Sequence, residues 1–265
     1  DQVQLSWTAG GDETEWDIEY GASGFTSGSG TTVSGVTANP YTLTGLTVET
    51  DYDVYIRAAC TSEDSDWSSV VSFSTWNTPA TTGFSENFDA SSNTPDGWSI
   101  RNGGDSGTWN LFSLINYTSV STNLDHHYSF RISYASSAHD DYLYSKPFTV
   151  TDGVNDAVSF RFLSPNSSYP EMIDVLVVHD DFTTTIIADD LEPDAHEWKF
   201  YSFLYDLSAY EGEDIRIAFH STTTDEDVAI IDNVVVGAYS DMENGWAGFT
   251  YGDSSYSEAE NWYSG

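Results

Sequence analysis

Basic residues are scarce in this 265-residue chain: seven Lys and Arg stand against 43 Asp and Glu, for a net charge of −36 and a pI near 4.1. That balance excludes nucleic acid as a partner, because nothing on the surface could neutralise a phosphate backbone. The single cysteine, Cys60, cannot build an internal disulfide framework. It reads as a buried free thiol, with a partner upstream of residue 1 as the alternative. No apolar run approaches the roughly 18 residues a membrane helix needs, and no signal sequence opens the chain. Catalytic signatures are missing as well: there is no HExxH, no paired CxxC, no Gly-x-Ser-x-Gly and no Gly-rich phosphate loop. Catalysis by this stretch is therefore not expected.

Aromatic residues are abundant, with nine Trp, 17 Tyr and 14 Phe. A disordered acidic chain has no use for so much buriable surface, so the protein is folded. Short alternating runs rich in Thr, Tyr and Val are broken by Gly, Asn, Asp and Pro, and no long helical period appears, which predicts an all-β protein. The acids are spread along the whole chain as a solvated skin of the kind met in high salt or around bound calcium. At this length two domains are the natural division.

In Asn39–Cys60, NPYTLTGLTVETDYDVYIRAAC, a turn at Gly45 precedes a strand in which Tyr52, Val54, Ile56 and Ala58 share a face. A Tyr opening such a strand can bury its ring and return its hydroxyl to upstream backbone, the tyrosine corner of Greek-key sandwiches. With Trp16 on an earlier strand, and Trp67, Ser68, Phe73 and Thr75 in a closing W-S-x-x-x-x-F-x-T, residues 1–78 resemble a bacterial fibronectin type III domain. Val3, Leu5 and Trp7 read as its second strand, so a first strand is expected upstream.

A polar linker, 79–83, follows, and then the patterning restarts. The blocks F-x-E-x-F (Phe84, Glu86, Phe88), P-x-G-W (Pro95 to Trp98), D-D-x-L-x-S-x-P (Asp140 to Pro147), D-L-S-x-Y-x-G-x-x-I-x-I-x-F (Asp206 to Phe219) and I-D-N-V-x-V (Ile231 to Val236) occur in order. Residues 84–238 are thereby similar to the MAM-like jelly rolls known as choice-of-anchor J domains and as cleaved-adhesin domains of gingipain-type haemagglutinins. The many antiparallel strands predicted over this stretch suit a two-sheet jelly roll. Residues 239–265 form an aromatic tail or the start of a further module.

Within those blocks Ile215, Ile217 and Phe219 alternate as packing residues. The carboxylates Glu86, Asp89, Asp140, Asp141 and Asp232 each sit beside an apolar strand residue, near where the first, middle and last strands should converge. Acids forced together repel unless a cation lies among them, and calcium accepts such irregular oxygen sets. The resemblance implies structural calcium joining the opening and closing strands. It assigns Glu86 and Asp232 first, Asp141 next and Asp89 last.

Gly104-Asp-Ser-Gly107 matches the tetrapeptide around a trypsin-like nucleophile, but no histidine context completes a triad, and a second calcium loop using Asp105 is the preferred reading. The adjacent His126 and His127 point to opposite faces of an extended strand, and His139, His179, His196 and His220 stand singly, so no zinc site is read. Tyr117, Tyr128, Tyr134 and Tyr169, in Ser/Asn-rich segments, are candidates to stack on sugars, although each alone more often anchors a loop.

The expected function is a non-catalytic adhesion or carbohydrate-binding region of a large secreted or surface-anchored bacterial protein. Its partners would be extracellular glycans or surface polymers and neighbouring domains of the same long chain. A structural repeat of a stalk, or an accessory region of an exported protease or polysaccharide-degrading enzyme, is the alternative.

Overall fold

A computed structural model describes residues 2–240 apart from 49, 62, 91, 114–127, 197, 199 and 225, together with 263–264. The chain is all-β and divides into two compact units, Asp1–Thr78 and Pro79–Gly265. No helix among the described residues is long and apolar enough to cross a membrane.

The first unit pairs β1 (Gln2–Leu5) with β4 (Tyr41–Thr44) in one sheet. A second sheet has the order β3 (Thr31–Val36), β2 (Trp16–Ala22), β5 (Asp51–Ala58), β6 (Val71–Ser74). Leu5, Ile18, Val36, Leu43, Leu46 and Val54 form its core. The tyrosine corner is present: Thr47 N–H donates to the Tyr52 hydroxyl at 3.1 Å, and the Tyr52 ring stacks on Phe73 with centroids 5.6 Å apart. Replacing Tyr52 by Phe keeps the ring packing and deletes this bond, so denaturant unfolding of this unit should show a loss of about 0.5–1.5 kcal/mol. Cys60 is exposed rather than buried. It lies beyond the end of β5, where its N–H donates to Asp64 in a polar loop, so no core position remains for it.

The second unit is a sandwich of two antiparallel sheets. One has the order β16 (Tyr201–Asp206), β13 (Ala157–Leu163), β18 (Val228–Gly237), β10 (Tyr128–Ser133), β9 (Asn110–Ser113), with β7 (Phe84–Glu86) also on β18 and a two-residue parallel strand, β19 (Tyr263–Ser264), beside β16. The other has the order β15 (Thr184–Leu191), β14 (Ile173–His179), β17 (Asp214–Ser221), β11 (Asp141–Tyr144), β8 (Ser99–Arg101), with β12 (Phe148–Thr149) on β17. Alternation fills the space between them: Phe130, Leu143, Phe160, Val175, Val177, Ile215, Ile217 and Phe219 are all buried in one cluster. The turn before β17 is a short 3-10 segment, Ser208–Tyr210, followed by Gly212 at φ +83°, a conformation that favours glycine.

Candidate functional site

Three of the four predicted calcium ligands lie around one junction. β18 pairs with β10 along Val228–Ile231 and with β7 along Val234–Val236, which leaves Asp232 and Asn233 between the two partners. On its other side the register against β13 slips between Ser159 and Arg161, and Asn233 takes φ +48°. Such a bulge re-aims side chains at a strand edge. Asp232 is fully buried, with its carboxylate held by the Ser129 hydroxyl at 3.0 Å and the Asn233 N–H at 2.7 Å.

At the end of the neighbouring β7, Glu86 accepts from Phe88 N–H at 2.7 Å, and just beyond it Asp89 accepts from Tyr128 N–H at 2.8 Å. The bulky, buried Phe88 has φ +61°, a position that costs about 1–3 kcal/mol and that the fold must therefore enforce. The Asp89 charge acts on both Glu86 and Asp232, placing the three acids in one electrostatic group, although their oxygens do not close into a tight three-ligand cluster. Arg161, the cross-strand partner of Asp232, and Lys146, near Glu86, supply opposing positive charge.

Burial pushes the Asp232 carboxyl up to about 8 and also raises Glu86. For Asp232 the folded value lies above the unfolded one. The native state then holds the extra proton, and its stabilising effect is complete below the unfolded value and lost as pH rises toward about 8. In chelator, the melting temperature should therefore fall between mildly acidic and mildly alkaline pH. Asp232→Asn should flatten that fall, as read by thermal melts across pH.

Asp141 belongs elsewhere. It lies on β11, in the opposite sheet, with Asp105 and His139. The expectation that His139 stands alone is corrected: it is buried, with Nδ1 2.7 Å from Asp105 Oδ2 and 3.0 Å from Asp141 Oδ2. Residues far apart in sequence meet here because β8 and β11 are neighbours, which brings the loops after β8 and before β11 together. The histidine beside the Gly-Asp-Ser-Gly stretch thus faces Asp105, while Ser106 is exposed. Three further histidines also have partners: His179 meets Glu213 at 2.8 Å, His196 meets the Ser164 carbonyl at 3.0 Å and His220 meets Asp140 at 3.1 Å.

Asp140 points into a different arrangement on the outer face of the second sheet. Tyr142 is stacked against His220 with centroids 3.8 Å apart and carries the Arg101 guanidinium 4.6 Å from its ring centre. Arg101 in turn bonds Asp140 at 2.7 Å. Burial first, then Asp140, pushes the Tyr142 hydroxyl up to about 12. This row is a polar stack in which His220 and Arg101 both pack on the Tyr142 ring.

Of the proposed sugar-stacking tyrosines, Tyr128 packs partly buried against the core, and Tyr117 lies outside the described residues, as do His126, His127 and the aromatic residues within 241–262. Tyr134 and Tyr169 are brought to one place. Both are exposed, at 56% and 53%. Tyr134 N–H donates to the carbonyl of Asp227 at 2.8 Å, and Asp227 N–H donates to the carbonyl of Tyr169 at 3.2 Å. The Asn166 amide donates to the Asp227 carboxylate at 3.1 Å. Two exposed tyrosines are thus tied through backbone to one residue, whose carboxylate is held by Asn166.

Residues 1–74 match the family model of the fibronectin type III domain. No curated protein matches the chain by sequence. Among solved structures, the chain is similar to the K2 cleaved adhesin domain of Lys-gingipain, at 15% identity over 58% of this chain and 98% of that one, with a TM-score of 0.46. It is also similar to the K3 cleaved adhesin domain of Lys-gingipain from Porphyromonas gingivalis w83, at 15% identity over 58% of this chain and 98% of that one, with a TM-score of 0.40. A third is the CBM22-1 xylan-binding domain from Paenibacillus barcinonensis Xyn10C, at 13% identity over 61% and 97%, with a TM-score of 0.39.

Proposed function

We propose that this chain is a non-catalytic adhesion or carbohydrate-binding region of a secreted or surface-anchored bacterial protein, and that its sandwich is braced by calcium at Glu86, Asp89 and Asp232. The observation that carries the reading is the pair Tyr134 and Tyr169, exposed on neighbouring loops and fixed to Asp227. Sugar recognition needs apolar faces for the C–H surface of a pyranose and a few fixed polar groups for its hydroxyls, and this end of the sandwich offers both.

Calcium suits the β7–β10–β18 junction because three acids gather at a joint between the opening and closing strands, and an oxygen-seeking cation would offset their repulsion. Asp141, assigned to calcium by resemblance, is not part of this brace. By its resemblance to fibronectin type III units the first unit is read as a spacer. A glycan-array screen of folded protein, in calcium and in chelator, tests the function. Reproducible binding to a defined glycan class supports it, and silence in both conditions favours a structural repeat.

A further inference from the structure

The group Asp105, His139 and Asp141 is separate from the calcium brace and from the tyrosine pair, and its chemistry differs from both. Its side chains are almost wholly inaccessible, at 5%, 2% and 0% exposure. Each carboxylate has one oxygen fixed by backbone: Asp105 Oδ1 accepts from Gly107 N–H at 2.8 Å, and Asp141 Oδ1 from Gly103 N–H at 3.3 Å. The other oxygen of each acid is turned toward the same atom, Nδ1 of His139.

That nitrogen carries at most one hydrogen, so it cannot satisfy two facing carboxylate oxygens. Asp105 Oδ2 accordingly receives no hydrogen bond although it is buried. One nitrogen and two oxygens, held within 4.8 Å of one another and oriented from behind by N–H groups, have the form of a metal face with its supporting shell.

The surroundings sharpen the need for a cation. Glu171 lies close enough for the His139 charge to act on it, is buried, and accepts from the hydroxyls of Ser221 and Thr223. Glu226 acts on Glu171 in turn and has a buried oxygen without a hydrogen bond. One imidazolium would offset only one of the two buried aspartates, and uncompensated buried charge is costly.

The loop is also shaped for close approach. A Cβ at Gly107 would lie 2.7 Å from His139 Cε1, and one at Gly103 would lie 2.5 Å from the Asp140 backbone oxygen, so neither position accepts a side chain without displacement. Trp109 closes the group by donating its indole N–H to the Asp141 carbonyl at 3.1 Å.

From this we infer that Asp105, His139 and Asp141 bind a first-row divalent cation of the zinc class. Calcium takes oxygen ligands, whereas an imidazole nitrogen with two carboxylates is a donor set for zinc and its neighbours. Two carboxylates and one divalent ion are also neutral together. The neutral imidazole ligates through Nδ1 and keeps its proton on Nε2. The segment between β17 and β18 touches both places: His139 N–H is bonded to the Thr223 carbonyl and Tyr134 N–H to the Asp227 carbonyl.

The test is calorimetric titration of zinc chloride into the full chain after removal of metals by chelator and desalting, alongside Asp105→Asn and His139→Gln. The inference expects one equivalent bound tightly, at least about tenfold weaker affinity in each variant, and a visible Co2+ spectrum of a four-coordinate site in the wild type alone. Histidine 15N spectra of the wild type provide a readout that does not depend on folded variants: zinc should shift one Nδ1 resonance in the metal-free protein. Zinc affinity equal in wild type and folded variants, or no Nδ1 shift on adding zinc, would overturn the assignment and leave a hydrogen-bonded imidazolium as the group's resting form.

Discussion

Calcium should raise the melting temperature of the second unit of the wild-type chain by several degrees, and Glu86→Gln combined with Asp232→Asn should remove that rise. The size follows from linkage: a ligand at a hundred times its dissociation constant stabilises the state it binds by about 2.7 kcal/mol. For a unit of this size each kcal/mol is worth about 2–4 °C. The acids lie at the joint of β7, β10 and β18, so the ion would connect strands from opposite ends of the unit. Differential scanning calorimetry with calcium and with chelator measures it directly. Because Asp232 is protonated in the metal-free fold below about pH 8 and an amide likewise carries no charge and keeps an acceptor oxygen, the double variant in chelator should melt no lower than wild type in chelator, which separates lost calcium binding from damage to the fold. A calcium response of undiminished size in the double variant would place the ion elsewhere.

Tyr134→Ala combined with Tyr169→Ala should weaken binding to any glycan recognised by the wild type by about 30-fold or more, the scale of losing central aromatic contacts. Both rings are more than half exposed, and the hydrogen bonds that fix these loops run through backbone atoms. Thermal stability should therefore change little, since surface substitutions away from packing usually stay within about 0.5 kcal/mol. Tyr142→Ala makes a useful contrast. It removes the ring on which Arg101 and His220 pack on the sheet face and should leave glycan affinity unchanged if the loop tyrosines are the contact surface.

Much of the fold could be read from local pattern, because alternation and turn chemistry act over a few residues. Ile215, Ile217 and Phe219 advertise their inward face, and Tyr52 with Gly45 announces the corner that Thr47 completes. β15 escaped such reading because Thr184–Leu191 is largely exposed, so its residues carry no clean inward alternation. Cys60 misled for the opposite reason: cysteine is usually buried, but this one falls just beyond the last paired residue of β5.

The candidate sites depend on longer-range geometry. That Glu86 and Asp232 belong to the same joint follows from β7 pairing with β18, and Asp89 is the acid whose charge acts on both. The partnership of His139 with Asp105 and Asp141 had no local signal. It arises from the β8–β11 register, which a lone histidine in a loop does not reveal. The Gly-rich stretch around Asp105 reads as a calcium loop and the resemblance names Asp141 as a ligand, but neither points to His139. The meeting of Tyr134 and Tyr169 at Asp227 likewise needed three loops to be placed at once.

The most direct measurement is a glycan array probed side by side with the wild-type chain and the Tyr134→Ala, Tyr169→Ala double variant, both shown to be folded and both in millimolar calcium. Reproducible wild-type binding to a defined class of glycans, lost in the double variant, is the predicted result. Absence of wild-type binding, or equal binding by the two proteins, would contradict a carbohydrate-recognition surface built on this tyrosine pair.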